Sequence, residues 1–249
     1  MKTLTFIAIT LISGAIAGTI LATINIGVVE PYIDQAINIE NQNAISAGEP
    51  IDLLEYNNYR IWQKGGEIAA GTILGTSIAA IFGLVFAYSR SSLPGSSNKK
   101  KALILAGIMW FALFLVPALK YPANPPAVGD PETIYYRQSV YVVYLAISGF
   151  TALGVAFMYG KMKQAIRSNH KDSRMLVELP VVIYAVIMIT AYLALPPNPD
   201  AINAPMDLVT GFRVASGFTM SIFWGLLGII LGAFWDKTKP HETAKIEMV

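Results

Sequence analysis

Residues Leu4–Val29 read LTFIAITLISGAIAGTILATINIGVV, a run of 26 residues without a charge. About 20 apolar residues cross a hydrocarbon core of about 30 Å, so this run is long enough to span a bilayer. Lys2 before it and Ala15-Ile16-Ala17 within it resemble a secretory leader with a cleavage site. The apolar run continues well past that point, and the reading here is a retained membrane helix. Five further stretches have the same character: Gly66–Tyr88, Ala102–Leu119, Ser139–Gly160, Leu176–Leu195 and Val214–Trp235. In the fifth, Glu178 and Pro180 fall in the first turn and read as a helix start.

The rest of the composition agrees. Hydrophobic residues make up 54% of the 249 and charged residues only 14%, against about 25% in soluble chains. The expectation is an all-α polytopic membrane bundle of six transmembrane helices arranged as three hairpins, forming one integral membrane domain. Basic residues set its orientation. The N-terminus, 89–101, 161–175 and the C-terminal tail hold 13 of the 18 Lys and Arg, so both termini are expected on the cytoplasmic side. Eleven of the 16 acidic residues fall on the other side. Cysteine is absent, which excludes disulfides, thiolate metal centres and cysteine nucleophiles.

Three outer loops close the hairpins. The first, about residues 30–65, is the longest and carries Glu30, Asp34, Glu40, Glu49, Asp52 and Glu55. Ile33, Ile37, Ala44 and Ile45 recur in it at helical spacing, which predicts a short helix on the membrane surface. Tyr56, Tyr59 and Trp62 then lead back toward the bilayer. The other two loops look alike: Tyr121-Pro-Ala-Asn-Pro-Pro126 and Pro196-Pro-Asn-Pro-Asp200, each followed by an acidic residue and an arginine. Asn124 and Asn198 are 74 residues apart, Arg137 and Arg213 76 apart, a spacing that suggests a duplicated hairpin. Asp130 with Arg137, and Asp207 with Arg213, are the expected loop-ordering ion pairs. The pairs Gly14/Gly18, Gly71/Gly75 and Gly228/Gly232 predict close helix packing.

No enzyme constellation is visible. His170 and His241 are far apart and lack ligand spacing, and no phosphate-binding loop or nucleophile elbow occurs. Ionisable groups at membrane depth are therefore the place to look for function, because burying them is costly. Glu30 ends the first span before Pro31, Asn25 lies just over a turn inside it, and Glu67 opens the second span. A carboxylate in a first turn is also favoured by the helix dipole, and Lys64 is close enough in sequence to pair with Glu67. Asn25, Glu30 and Glu67 are the candidate substrate path, with Glu30 and Glu67 as metal-contacting carboxylates. Such oxygen donors suit a hard or borderline divalent ion.

The stretch Leu115-Val-Pro-Ala-Leu-Lys-Tyr-Pro-Ala-Asn-Pro-Pro126, with Gly129 and Arg137-Gln138 after it, resembles the probable cobalt transporter subunit family called CbtA. Gly65-Gly66-Glu67, Phe82-Gly-Leu-Val-Phe-Ala87, Pro205-Met-Asp-Leu208 and Phe223-Trp-Gly-Leu-Leu-Gly228 resemble it too. The resemblance spans nearly the whole chain. One departure lies at the end of the fifth span, where Pro196-Pro197 stands in place of a Pro-His pair. The resemblance implies a permease subunit for cobalt uptake in the cell membrane, with the divalent ion as cargo and no permanently bound cofactor. It also implies a small single-helix partner with a histidine-rich end (CbtB-like). The rival reading is a non-conducting scaffold subunit whose acidic loop docks other proteins.

Overall fold

The computed structural model describes residues 2–241 apart from 49, 51, 127 and 170–173, and omits the side chains of 53 and 163–177. His170 and the basic residues Lys171 and Lys245 therefore lie outside the described residues. Every regular element among those described is helical: α1 (Thr3–Val28), α2 (Glu30–Ser46), α3 (Leu53–Ser89), α4 (Asn98–Trp110), α5 (Val116–Lys120), α6 (Ile134–Asn169), α7 (Arg174–Ala194) and α8 (Met206–Thr238). A π-helical turn, Phe111–Leu115, joins α4 to α5. Five helical segments are long and apolar enough to cross a membrane, and α7 adds a shorter apolar helix. The chain is a multi-pass membrane protein built as a helix bundle.

The expected spans all lie on helices, but the helices run longer than the apolar stretches. The chief difference is α3, which starts at Leu53 instead of Gly66, so its 37 residues extend about 55 Å. Asp52 explains the early start, since its carboxylate accepts from the backbone N–H of Leu54 and Glu55 at 2.9 and 3.1 Å. The predicted surface helix exists as α2, and with the added turns of α3 it leaves little of the first loop non-helical. In α7 the helix begins at Arg174, so Glu178 and Pro180 do not open it. Pro180 is an interior residue instead.

The structure divides into two compact units, one of Met1–Ile108, Asn124–Ala127 and Ala204–Val249, the other of Met109–Ala123 and Val128–Asn203. In the first, α1 packs antiparallel on α3 along a seam of small residues. Gly14 faces Gly75 and Ala79, Gly18 faces Gly71 and Gly75, and Gly71 faces Ala22, each with no room for a methyl group. Thr19 and Thr72 share a 2.7 Å hydrogen bond along the same seam. Glycine is needed there because lipid supplies no hydrophobic drive, so attraction comes from backbones that approach closely. The third glycine pair makes a different joint: Gly228 lies against Ala106, and Gly232 against the backbone of Lys99 in α4. Asp236 of α8 then caps that helix, accepting from the backbone N–H of Asn98 and Lys99 at 3.0 Å each. Phe6, Phe86 and Trp235 close this end with edge-to-face contacts.

In the second unit the π-helical turn sits just before Pro117, which has no N–H to donate. Across the turn Val116 N–H bonds back to the Phe111 carbonyl, so the Ala112 carbonyl is left without its usual helical partner. The buried Ser148 hydroxyl on α6 donates to it at 2.5 Å. Tyr184 of α7, 2.7 Å from that oxygen, donates in turn to Ser148. Lys120 closes the C-terminal end of α7 by donating to the carbonyls of Tyr192 and Leu195 at 2.6 and 3.0 Å.

Candidate functional site

The α1–α3 seam continues beyond its glycines. One turn past Ala22 on α1 comes Asn25, and one turn before Gly71 on α3 comes Glu67. Small residues have brought the two backbones together, so these two polar side chains enter the same narrow space. The Asn25 side chain lies within hydrogen-bonding reach of the Glu67 carboxylate. Each nonetheless keeps one buried oxygen, Asn25 Oδ1 and Glu67 Oε2, with no protein partner. An orphaned buried acceptor is costly in any protein interior and calls for an explanation.

Further along α3, Arg60 and Lys64 share a helical face with Glu67, and on α2 Glu30 and Asp34 lie four residues apart. These faces meet in an ion-pair clasp. Arg60 Nη2 donates to Glu30 Oε2 at 2.7 Å and to Asp34 Oδ1 at 2.8 Å. Lys64 Nζ reaches Asp34 Oδ2 at 2.6 Å, and Arg60 Nη1 donates to Gln63 Oε1 at 2.6 Å. The Arg60 and Glu30 side chains are only 11% and 9% exposed, which makes their bond a buried pair whose rupture would strand a charge. Arg60 Nε is buried and unpartnered.

Of the three candidate path residues, then, all lie together: Glu67 sits beside Asn25 and in the fields of Glu30 and Arg60. Their partners differ from the pairing that sequence proximity allowed. Lys64 is engaged by Asp34, leaving Glu67 without the short-range lysine pairing that sequence proximity suggested. Glu30 opens α2 and is bonded to Arg60, which sequence reading had not connected to it. The signal that could have found Arg60 is the i, i+4, i+7 spacing of Arg60, Lys64 and Glu67, legible once α3 is known to be helical this far back.

Asp34 lies outside the spans and has a perturbed carboxyl. Burial alone would push its pKa up, but the hydrogen bonds and charges of Lys64 and Arg60 outweigh burial and hold it below the ordinary aspartate value. A cleft of about 410 Å³ opens beside the clasp, lined by Asp34, Asn38, Tyr56, Asn57, Arg60, Ile61 and Lys64. Among the described residues no group of three or more His, Cys, Asp or Glu side chains is arranged to hold a metal ion.

The loop arginines do other work. Arg137 takes Asp200 as its carboxylate partner at 3.0 Å, while Asp130 offers its backbone carbonyl to Arg137 Nη2 at 3.0 Å. The Asp130 carboxylate instead caps the Pro131–Thr133 turn, accepting from Glu132 N–H at 2.8 Å. Arg213 donates to the side chain of Asn124 at 2.7 Å. Each arginine thus grips a residue of the other Pro/Asn loop. Asp207 lies in the first turn of α8, where its charge suits the helix dipole. His241 accepts from Trp235 Nε1 at 3.1 Å and stacks on that ring.

Comparison with curated proteins and with solved structures gives no match. A family model does match, over residues 3–236, which takes in the clasp and all but the last two residues of α8. The chain belongs to the probable cobalt transporter subunit family, CbtA.

Proposed function

We propose that this chain is the permease subunit of a divalent-metal uptake system, with Co²⁺ as its cargo and Asn25, Glu30 and Glu67 as contact points on the path. The observation that carries this reading is the pair of buried, unpartnered oxygens, Asn25 Oδ1 and Glu67 Oε2. Both are acceptors, so the group that would satisfy them is a cation or a water, and Glu30 adds negative charge beside them. The donors are all oxygen or amide, which suits an ion in transit better than one held permanently.

The family description speaks of a subunit, and the reading includes a partner: a small single-helix protein with a histidine-rich end that delivers the ion. The cysteine-free chain, with histidines only at 170 and 241, has no thiolate and few imidazoles of its own for capture. Orientation follows the basic-residue bias, with both termini cytoplasmic and the clasp on the outer side.

Cobalt uptake by cells expressing the Glu30→Gln, Glu67→Gln double variant tests the proposal, with membrane expression measured alongside. Uptake should fall at least about tenfold while expression persists, as expected when a polar site loses its charge and keeps its shape. Normal uptake by a well-expressed double variant would overturn the assignment of Glu30 and Glu67 to the path. Repeating the assay with and without the histidine-rich partner asks whether delivery needs it.

A further inference from the structure

We propose that Arg60 is the resident counter-cation of the Glu30–Glu67 group, and that an arriving divalent metal ion displaces it onto Asp34. The proposal rests on the permease reading of that group.

The geometry is that of an exchange already half made. A single nitrogen, Nη2, bonds both Glu30 Oε2 and Asp34 Oδ1. Releasing Glu30 therefore leaves Arg60 its bonds to Asp34 and Gln63, and the guanidinium need not leave its place. Lys64 fixes the far oxygen of Asp34, so the receiving carboxylate is held still. In the present pose Arg60 Nε has no acceptor. A turn of the fork toward Asp34 can give it one, because each carboxylate oxygen accepts more than one bond.

Charge supplies the reason for the exchange. Glu30, Asp34 and Glu67 are three carboxylates, and Arg60 and Lys64 are two cations. With the three ionised, one negative charge stays unbalanced and attracts a cation. A divalent ion that takes the Glu30 oxygen now held by Arg60 competes with the guanidinium for it, since like charges at contact distance repel where water is scarce. The 410 Å³ cleft has Arg60, Asp34 and Lys64 in its wall. Arg60 is thus common to the cleft wall and to the acidic group, and it blocks Glu30 until a stronger cation arrives.

The test is Co²⁺ titration of the purified full-length protein in detergent. Arg60→Gln should tighten the apparent Kd by about tenfold, within the usual range for coupling between neighbouring sites. Asp34→Asn removes the receiving carboxylate and should weaken binding by a similar factor. The double variant should bind like Arg60→Gln alone, because Asp34 matters only while Arg60 needs somewhere to go. Asp34 is 40% exposed, so its variant should fold even if Arg60→Gln, which strands Glu30, does not. Unchanged affinity in a folded Asp34→Asn variant, or unchanged or weaker affinity in Arg60→Gln, would overturn the counter-cation role. Glu67→Gln separates the two levels. Lost binding in that variant keeps the site assignment standing whatever Arg60 does, whereas unaltered binding removes the site and this proposal together.

Discussion

Gly18 of α1 and Gly71 of α3 face each other so closely that a methyl group on Gly18 would land on the Gly71 carbonyl. This contact sets the spacing from which the polar end of the seam follows. Gly18→Leu should destabilise the protein by at least about 3 kcal/mol, the upper range for overpacking, because backbone and not a flexible side chain stands in the way. Gly217→Leu, on α8 with nothing within 4 Å of its Cβ position, should stay close to wild type. Thermal unfolding in detergent distinguishes them. Equal losses would show that the glycine seam does not organise the fold.

The clasp should respond to acid in a defined direction. Asp34 holds its proton more weakly in the folded protein than in the unfolded chain, so its contribution to stability is complete above the ordinary aspartate value of 3.8. It is lost as pH falls through the lower folded value. The contribution of Asp34 to thermal stability should therefore be full and constant between about pH 7 and pH 5 and fall away below about pH 4. Asp34→Asn should be less stable at neutral pH, and its deficit should close in strong acid. A deficit constant down to the lowest pH would show that Asp34 is not ionised in the clasp.

Hydrophobic run length gave every membrane helix its place, because the bilayer imposes a length that sequence must meet. It gave the ends poorly, since helices continue past the hydrocarbon where nothing apolar marks them: α3 starts at Asp52's cap, thirteen residues before Gly66. The candidate path was half legible. Costly charge placement flags Glu30 and Glu67, but Arg60 was hidden inside a stretch read as loop. Partner choice was least legible. Arg137 takes the distant Asp200 over the neighbouring Asp130 because Gly129, at φ +99°, folds the chain so that the Asp130 carbonyl and not its carboxylate faces the guanidinium.

Topology is open to direct labelling, since the chain has no native cysteine. The 13-to-5 split of basic residues predicts 89–101 inside and the first loop outside. In intact cells, Ser46→Cys and Asn203→Cys should react with an impermeant maleimide. Ser97→Cys should react only after the membrane is opened. External labelling at position 97 would reverse the orientation and move the clasp to the cytoplasmic side.

Asp200 and Asp130 offer a last contrast, between a carboxylate that anchors a loop and one that only caps a turn. The Asp200 side chain is 7% exposed and serves three donors through one oxygen: Arg137 Nε at 3.0 Å, Thr133 Oγ1 at 2.7 Å and Asp130 N–H at 3.0 Å. Asp200→Asn keeps the shape but removes the charge that balances Arg137, and the amide cannot offer all three donors an ionised acceptor. Breaking one side of a buried pair costs about 3–5 kcal/mol, and the 23% exposure of Arg137 places this case at or below the lower end. Asp130→Asn keeps an Oδ1 acceptor for Glu132 N–H and the Asp130 carbonyl on Arg137, so only about a few tenths of a kcal/mol is expected. Gly129→Ala should resemble the Asp200 variant, because an added Cβ would press on both Arg137 and Asp200 from a backbone angle that favours glycine. Unfolding midpoints of the three variants should therefore rank Asp130→Asn closest to wild type, with the other two well below it. An Asp130 variant as damaged as the Asp200 variant would mean that the ion pair forms between Asp130 and Arg137 after all.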